Sequence, residues 1–443
     1  MSDPTGEVTD LLQHLIRNAC VNDGTPESGH EVRSVDTLAA YLQAPGLELQ
    51  RYEPTPGRGS LVLRIEGSDP KAPTLMLMGH LDVVPVDLDG WSHDPFAGEL
   101  ADGVVWGRGA IDMLDVTAAM AVAVRGLLRG GFRPNGTLVY AAMADEEAFG
   151  THGAQWLLEH EWDAVRADYV VTEFGGMRLP TEGPPVLPII VAEKGVGWVK
   201  LRVHGTPGHG SMPYATDNAL VKAARVVDRI AGYRPPRRFL ELWTHFVEGM
   251  RFPEPLTRGL LQEELFDRAI AGLPVGLARM YDASTHTTFA PTMLKAGQKI
   301  NVIPAHADLE VDIRTLPGDD GARVREMLED AIGDLWSEVE IVDEGNNPAT
   351  ESPINTPLYD AIARVSARLV PGATTVPTLL VGATDSRFYR RKGVTAYGAG
   401  LMSERIPFGQ FATMFHGDDE RVDQETLRLC TELFAQLPRE LLL

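Results

Sequence analysis

Several side chains able to hold a metal or move a proton stand at the ends of apolar runs. Residues 74–78 lead into Gly79-His80-Leu81-Asp82, 137–143 into Asp145-Glu146-Glu147, and 169–172 into Glu173. A His and an Asp two apart at a strand end project to the same side. That arrangement suits a metal-bound imidazole with a carboxylate oriented behind it to fix its tautomer, although His80 and Asp82 alone also describe a surface loop. The three carboxylates of Asp145-Glu146-Glu147 repel one another in a low-dielectric site, and cations would compensate them. Neighbours at a strand end point in opposite directions, so one Glu can ligate while the other faces an attacking water. An acidic helix start is the competing reading, since the helix dipole favours it.

The stretch Gly107-Arg108-Gly109-Ala110-Ile111-Asp112-Met113 is a glycine-rich turn ahead of a helix. It lacks the third spaced glycine and the GKS/T of a phosphate cradle, so the glycines are read as letting the backbone bend and bring Asp112 inward. A helix N-cap is the alternative for Asp112. Glu173 precedes Gly175 and Gly176, and His416 lies in Phe415-His416-Gly417-Asp418-Asp419-Glu420. Either could be a surface residue taken singly. Together, His80, Asp112, Glu147, Glu173 and His416 are ligand types that zinc accepts, and two cations sharing one carboxylate would use them all.

The elements that must position this set are strands and one helix. The three apolar runs read as buried parallel strands. A helical pattern over 116–128, closed by Gly130 and Gly131, makes a strand-helix-strand unit, and ligands of open α/β sheets collect beyond the carboxyl ends of the strands. From Gly197 the texture changes to alternation, at 198–204 and 307–314, which means sheets with one face covered. Helical stretches at 218–230 and 321–335 complete a β-α-β layered module, read as a second domain inserted in the first. Strands at 378–381 and 394–397 return to the first sheet, and a closing helix over 424–437 is stopped by Pro438. The expected division is 1–197 with 346–443 for the first domain and 198–345 for the second. Residues 234–288 read as mixed and helical, with no identifiable site.

A chain of 443 residues exceeds the ~100–200 residues of one domain, which agrees with two. Its formal net charge of -22 repels phosphate backbones and anionic lipid, so nucleic acid and membranes are excluded as expected partners. Cys20 and Cys430 are far apart and in no CxxC pattern, which suggests neither a disulfide framework nor a thiolate zinc site. With no apolar leader pattern and no apolar stretch of ~18 residues, a cytoplasmic location is expected.

The motifs GHLDVVP, GRGAIDM, ADEE, TEFGG, GHGSMP, NVIPA with its following DIR, and FHGDDE resemble, in order and over nearly the whole chain, those of the M20 family of metallopeptidases and aminoacylases. The segment from His80 through Val86 and Trp91 to Pro95-Phe96 is similar to the carboxypeptidase S and aminoacylase branch. The resemblance implies an α/β fold: a mixed-sheet zinc-peptidase catalytic domain with an inserted α+β, ferredoxin-like lid and dimerisation domain. It implies one zinc held by His80, Asp112 and Glu173 and another by Asp112, Glu147 and His416, with Asp112 as the bridge and cobalt or manganese as possible substitutes. Asp82 would orient His80, Glu146 would be the general base, and a cis peptide would follow Asp112. His209 would reach the partner's active site in a homodimer; its other reading is a turn residue between two glycines. Asn301 and Arg314 would bind the substrate's carboxylate, although Asp308, Glu310 and Asp312 could instead hold Arg314 in a salt bridge.

Two departures stand out. Met113 is followed by Leu114 and Asp115, where many relatives carry a Lys, and Glu at 173 matches the carboxypeptidase and aminoacylase members better than the aminopeptidase type. The expected function is hydrolysis of an amide next to a free carboxylate, in an N-acyl amino acid or short peptide. A narrow dipeptidase is the alternative. A catalytically silent, metal-stabilised dimer would need a missing ligand or base, and none is missing.

Overall fold

Near-continuous apolar runs become strands covered on both faces. In the computed structural model, which describes residues 3–179, 181, 183–345 and 347–443, nine strands build the larger sheet. Its order is Leu49–Thr55, Arg58–Ile65, Thr137–Met143, Thr74–His80, Tyr169–Thr172, Thr395–Gly398, Val186–Glu193 and Thr350–Glu351, with Thr374–Leu380 also paired to Val186–Glu193. The centre is parallel: Thr74–His80 runs alongside Thr137–Met143 and Tyr169–Thr172, and Thr395–Gly398 alongside Tyr169–Thr172. Side chains alternate between two cores. Leu75 and Leu77 pack with the helices Leu114–Arg129 and Gln424–Leu441, whereas Met76 and Met78 pack with Ala154, Leu157 and Leu158 of Ala154–His160.

Helix Leu114–Arg129, ending at Gly130, sits close on the strand that carries His80. A Cβ added to Gly79 would lie 2.2 Å from Thr117 Oγ1, and that hydroxyl donates to the His80 carbonyl at 2.9 Å. Glycine at 79 therefore lets the helix press directly on the first ligand strand.

The second sheet has four antiparallel strands in the order Thr288–Ala296, His306–Thr315, Gly195–His204, Val339–Glu344. Buried and more exposed positions alternate along His306–Thr315, and the inward residues Val199, Leu201, Leu309 and Val311 meet the helices Ala219–Gly232 and Gly321–Ile332. This is a β-α-β-β-α-β, ferredoxin-like layer. The chain enters it at Gly195, directly after Val186–Glu193, and is back in the first sheet at Thr350; position 346, the expected point of return, lies outside the described residues.

Residues 234–288 hold four helices, Glu241–Gly249, Glu254–Leu261, Glu263–Ala271 and Val275–Ala283, around an aromatic core of Trp243, Phe246, Phe266 and Tyr281. Two helix ends differ from the expected ones by three residues or more. The last helix continues to Leu441 with Pro438 inside it, because Leu437, Pro438 and Leu442 are all buried and packing of the final turn outweighs the proline's missing N–H. The helix from Gly321 ends at Ile332 rather than 335, where Gly333 adopts φ 63°. Among the described residues no helix is long and apolar enough to cross a membrane.

Candidate metal centre

His80 ends its strand, Glu173 follows the strand Tyr169–Thr172, and Glu147 lies in a short 3-10 turn after Thr137–Met143. Asp112 comes from the glycine-rich loop and is not a helix cap, and His416 follows the helix Phe408–Met414. The fold brings all five together. Asp112 Oδ1 is 3.3 Å from His80 Nε2, which is 3.8 Å from Glu173 Oε2. On the other side, Asp112 Oδ2 is 3.4 Å from His416 Nε2, which is 3.3 Å from Glu147 Oε2. Each triplet offers one ligand atom per residue, all within 4.8 Å of one another. His80 Nε2, Glu147 Oε1 and Glu173 Oε2 are buried without a hydrogen-bond partner. Buried polar atoms of this kind need a partner, and a nitrogen-and-oxygen donor set fits a divalent cation. The peptide between Asp112 and Met113 is cis, as the resemblance implies.

The scaffold beneath the ligands is polar and buried. His80 Nδ1 lies 3.0 Å from the backbone carbonyl of Asp82, which places the ring proton there and leaves Nε2 free to ligate. The Asp82 carboxylate, expected behind the imidazole, stands farther off at 3.6 Å. It is committed elsewhere, accepting from Asn22 Nδ2 at 2.8 Å and from the backbone N–H groups of Glu146 and Glu147 at 3.1 and 3.0 Å. Asp82 thus fixes the acidic turn. Asp145 turns away from the cavity. Arg58 donates to its carboxylate at 2.7 Å and to Glu31 at 2.8 Å, so only two of the three consecutive acids face the centre.

Glu420 performs the equivalent task for Asp112. Its carboxylate accepts from Arg108 Nη1 at 2.7 Å and from the N–H groups of Gly109, Ile111 and Asp112 at 3.0, 2.8 and 3.2 Å. Nothing local in the sequence marks a role for Glu31, Arg58, Asn22 or Glu420. Only Glu420, in the same loop as His416, lay inside a motif. Asp115, which with Leu114 departs from the family pattern, is buried in the first turn of its helix, and burial pushes its carboxyl well above the usual range.

The electrostatics call for positive charge. Burial alone would lower the His80 pKa, yet the facing Asp112 and Glu173 carboxylates raise it well above the usual value. His416 is pushed up to about 10 by Asp112 and Glu147. Burial raises Glu173 to about 8 and, with the Glu173 charge, drives Glu146 well above the carboxylate range. Proton affinity raised across the cluster marks a place that added positive charge would stabilise.

A cavity of about 360 Å³ opens over the two triplets. Glu146 faces it without belonging to either triplet, its Oε1 3.7 Å from Arg387 Nη1. Arg314 reaches it from the second sheet, where it is gripped by Asp312 at 2.7 and 3.0 Å. The salt bridge and the position over the site therefore coexist. Arg387 is a second cation on the cavity wall, buried where Arg314 is half-buried, and no sequence motif marks it. Phe149 and Trp198, from the two sheets' sides, meet edge to face at 4.7 Å. Asn301 and His209 lie elsewhere, side by side on an exposed two-stranded ribbon in which the Gly210 N–H donates to the Asn301 carbonyl at 2.8 Å.

Two ligand triplets meeting at one carboxylate, at the ends of parallel strands in a mixed α/β fold, define a hydrolase class. The chain belongs to peptidase family M20/M25/M40, whose family model matches residues 76–440. It is similar to the probable carboxypeptidase S-like 2 of Dictyostelium discoideum, 29% identical over 74% of this chain but only 65% of that protein. It is also similar to the N-fatty-acyl-amino acid synthase/hydrolase PM20D1 of Xenopus tropicalis, 28% identical over 86% of this chain and 75% of that one. Human aminoacylase-1 is 28% identical over 93% of this chain and 90% of its own length. Among solved structures, the M20 family metallo-carboxypeptidase Sso-CP2 of Sulfolobus solfataricus shares the fold, with a TM-score of 0.71 at 17% identity, covering 100% of this chain and 99% of that one.

Proposed function

We propose that this hydrolase uses two divalent cations, zinc first and cobalt or manganese as alternatives, to cleave an amide next to a free carboxylate in an N-acyl amino acid or short peptide. The observation that carries the reading is Asp112, whose two oxygens each face a different histidine-containing triplet. His80, Asp112 and Glu173 would hold one ion and Asp112, Glu147 and His416 the other. Cations in such a site polarise a carbonyl oxygen and acidify water.

Glu146 stands beside both triplets as the general base. Its carboxyl takes a proton from the attacking water and gives it to the leaving nitrogen, a role suited to a carboxyl whose proton affinity is raised by burial. Arg314 and Arg387 supply the positive charge for the substrate carboxylate, Arg314 oriented by Asp312. His209 would serve the partner's site in a homodimer, and Asn301, beside it on the ribbon, would bind the substrate carboxylate there; neither lines this chain's own cavity. Exposed Met212, Tyr214, Ile300 and Val302 flank them on the same ribbon and suit an interface. Two free, buried cysteines fit a cytoplasmic setting.

The test is a panel of N-acyl amino acids and dipeptides, assayed after metal stripping and reloading with zinc, manganese or cobalt. Turnover of acylated substrates that is lost when their carboxylate is amidated is expected; turnover confined to free-amine dipeptides would overturn the acyl-amino-acid reading. Glu146→Gln should keep fold and metal content while kcat falls by about 10²–10⁴-fold. Unchanged kcat in that variant would remove Glu146 from the mechanism.

A further inference from the structure

Beside the metal centre lies a second cavity of about 530 Å³, a size that small-molecule sites commonly have. Phe174, Leu380 and Phe415 line both cavities. Phe174 directly follows Glu173 and Phe415 directly precedes His416, so each triplet has a ligand one residue from the shared wall. The two phenylalanine rings are 5.2 Å apart, centroid to centroid. Beyond that wall the lining is almost entirely apolar, with Ile190 from the large sheet and Phe246 and Met280 from the four-helix stretch 234–288. Among the described residues, the one charged lining residue is Arg279, exposed on the outer side with Gly276 and Ala412.

We infer that this cavity receives the acyl chain of the substrate, and that the chain is a medium or long alkyl group. The inference rests on the amide-hydrolysis reading above and adds the substrate class to it. A peptide in this space would leave its N–H and C=O groups without partners, which is costly in an apolar surround, and Arg279 would repel a free ammonium. An alkyl chain needs no partners and gains from leaving water. A carbonyl placed between the triplets, with its carboxylate end toward the arginines, has its substituent at the wall of Phe174, Leu380 and Phe415. The four-helix stretch thereby acquires a function that its sequence did not disclose.

The experiment is a series of N-acyl derivatives of one amino acid, from acetyl to hexadecanoyl, on the zinc-loaded enzyme. kcat/KM should rise about fourfold per methylene over the first several carbons, the factor equivalent to ~0.8 kcal/mol per buried CH2, then level off when the cavity is full. Gly276→Trp and Ala412→Trp narrow the outer end. Gly276 has nothing within 4 Å of an added Cβ, so folding should tolerate the change. These variants should lower kcat/KM for dodecanoyl and longer chains at least tenfold and leave the acetyl substrate unchanged. Calorimetry with dodecanoate alone should show binding to the unaltered protein and weaker binding to both variants. A flat or falling series with the acetyl substrate turned over would overturn the acyl-chain assignment and leave amide hydrolysis standing. No turnover of any member would overturn both.

Discussion

At Asp112 a single carboxylate belongs to both triplets, whereas each of the other four proposed ligands belongs to one. The residues behind the ligands matter almost as much. Asp82 holds the N–H groups of Glu146 and Glu147, so Asp82→Ala should lower metal affinity by about 10- to 100-fold even though no ligand is lost; unaltered affinity, read by metal titration, would contradict this role. Protonation follows the same geometry. His416 keeps its proton up to about pH 10 and Glu173 up to about pH 8 in the metal-free protein, and a cation must displace both. Metal affinity should therefore strengthen as pH rises from 6 toward 10. Calorimetry near pH 7 should give binding enthalpies that differ between buffers of different ionisation enthalpy, reporting net proton release; identical enthalpies would count against the ligand assignment. The five proposed ligands stand out in the sequence because each ends an apolar run or sits in a glycine-bearing loop. Glu31, Arg58 and Asn22 do not, since each stands in an ordinary mixed polar stretch with no motif, and only burial against Asp82 and Asp145 distinguishes them.

At the scale of elements, the strand that ends at His80 and the helix after Asp112 are fitted to each other through Gly79 and Thr117. Gly79→Ala forces the new methyl against Thr117 Oγ1 and should destabilise the protein by about 1–3 kcal/mol. In a Thr117→Ala background the same change should cost at least ~1 kcal/mol less, because the closest clash is removed and only the contacts at 3.1 and 3.3 Å stay; denaturant unfolding of the four proteins measures the coupling, and additive losses would mean that the two elements do not press together here. Elements of this kind are legible in the sequence where the apolar pattern is strong, as in the unbroken runs of the central parallel strands and the alternation along His306–Thr315. The exceptions have physical causes. Pro438 reads as a stop, but long-range burial of Leu437 and Leu442 carries the helix past it. The helices of 234–288 have their own aromatic core, and no local pattern reveals that their Phe246 and Met280 also face a cavity beside the metal centre.

For the whole molecule, the exposed ribbon with His209 and Asn301 sets up a test of the homodimer. Glu146→Gln and His209→Ala should each be nearly inactive alone. Mixed under conditions that let subunits exchange, they should recover measurable activity, because one site in each mixed dimer combines an intact Glu146 with the partner's intact His209. No recovery, with mixed dimers demonstrated by differential tagging, would place His209 outside the mechanism. Another consequence follows from the position of Thr395–Gly398, which fills the gap between Tyr169–Thr172 and Val186–Glu193. Both neighbours are translated long before it. During synthesis, at ~5–20 residues per second, they must wait through the whole ferredoxin-like insertion with an edge unpaired, and open edges invite association between nascent chains. Soluble yield in a heterologous host should therefore depend on chaperone supply and growth temperature more than on the stability of the finished enzyme.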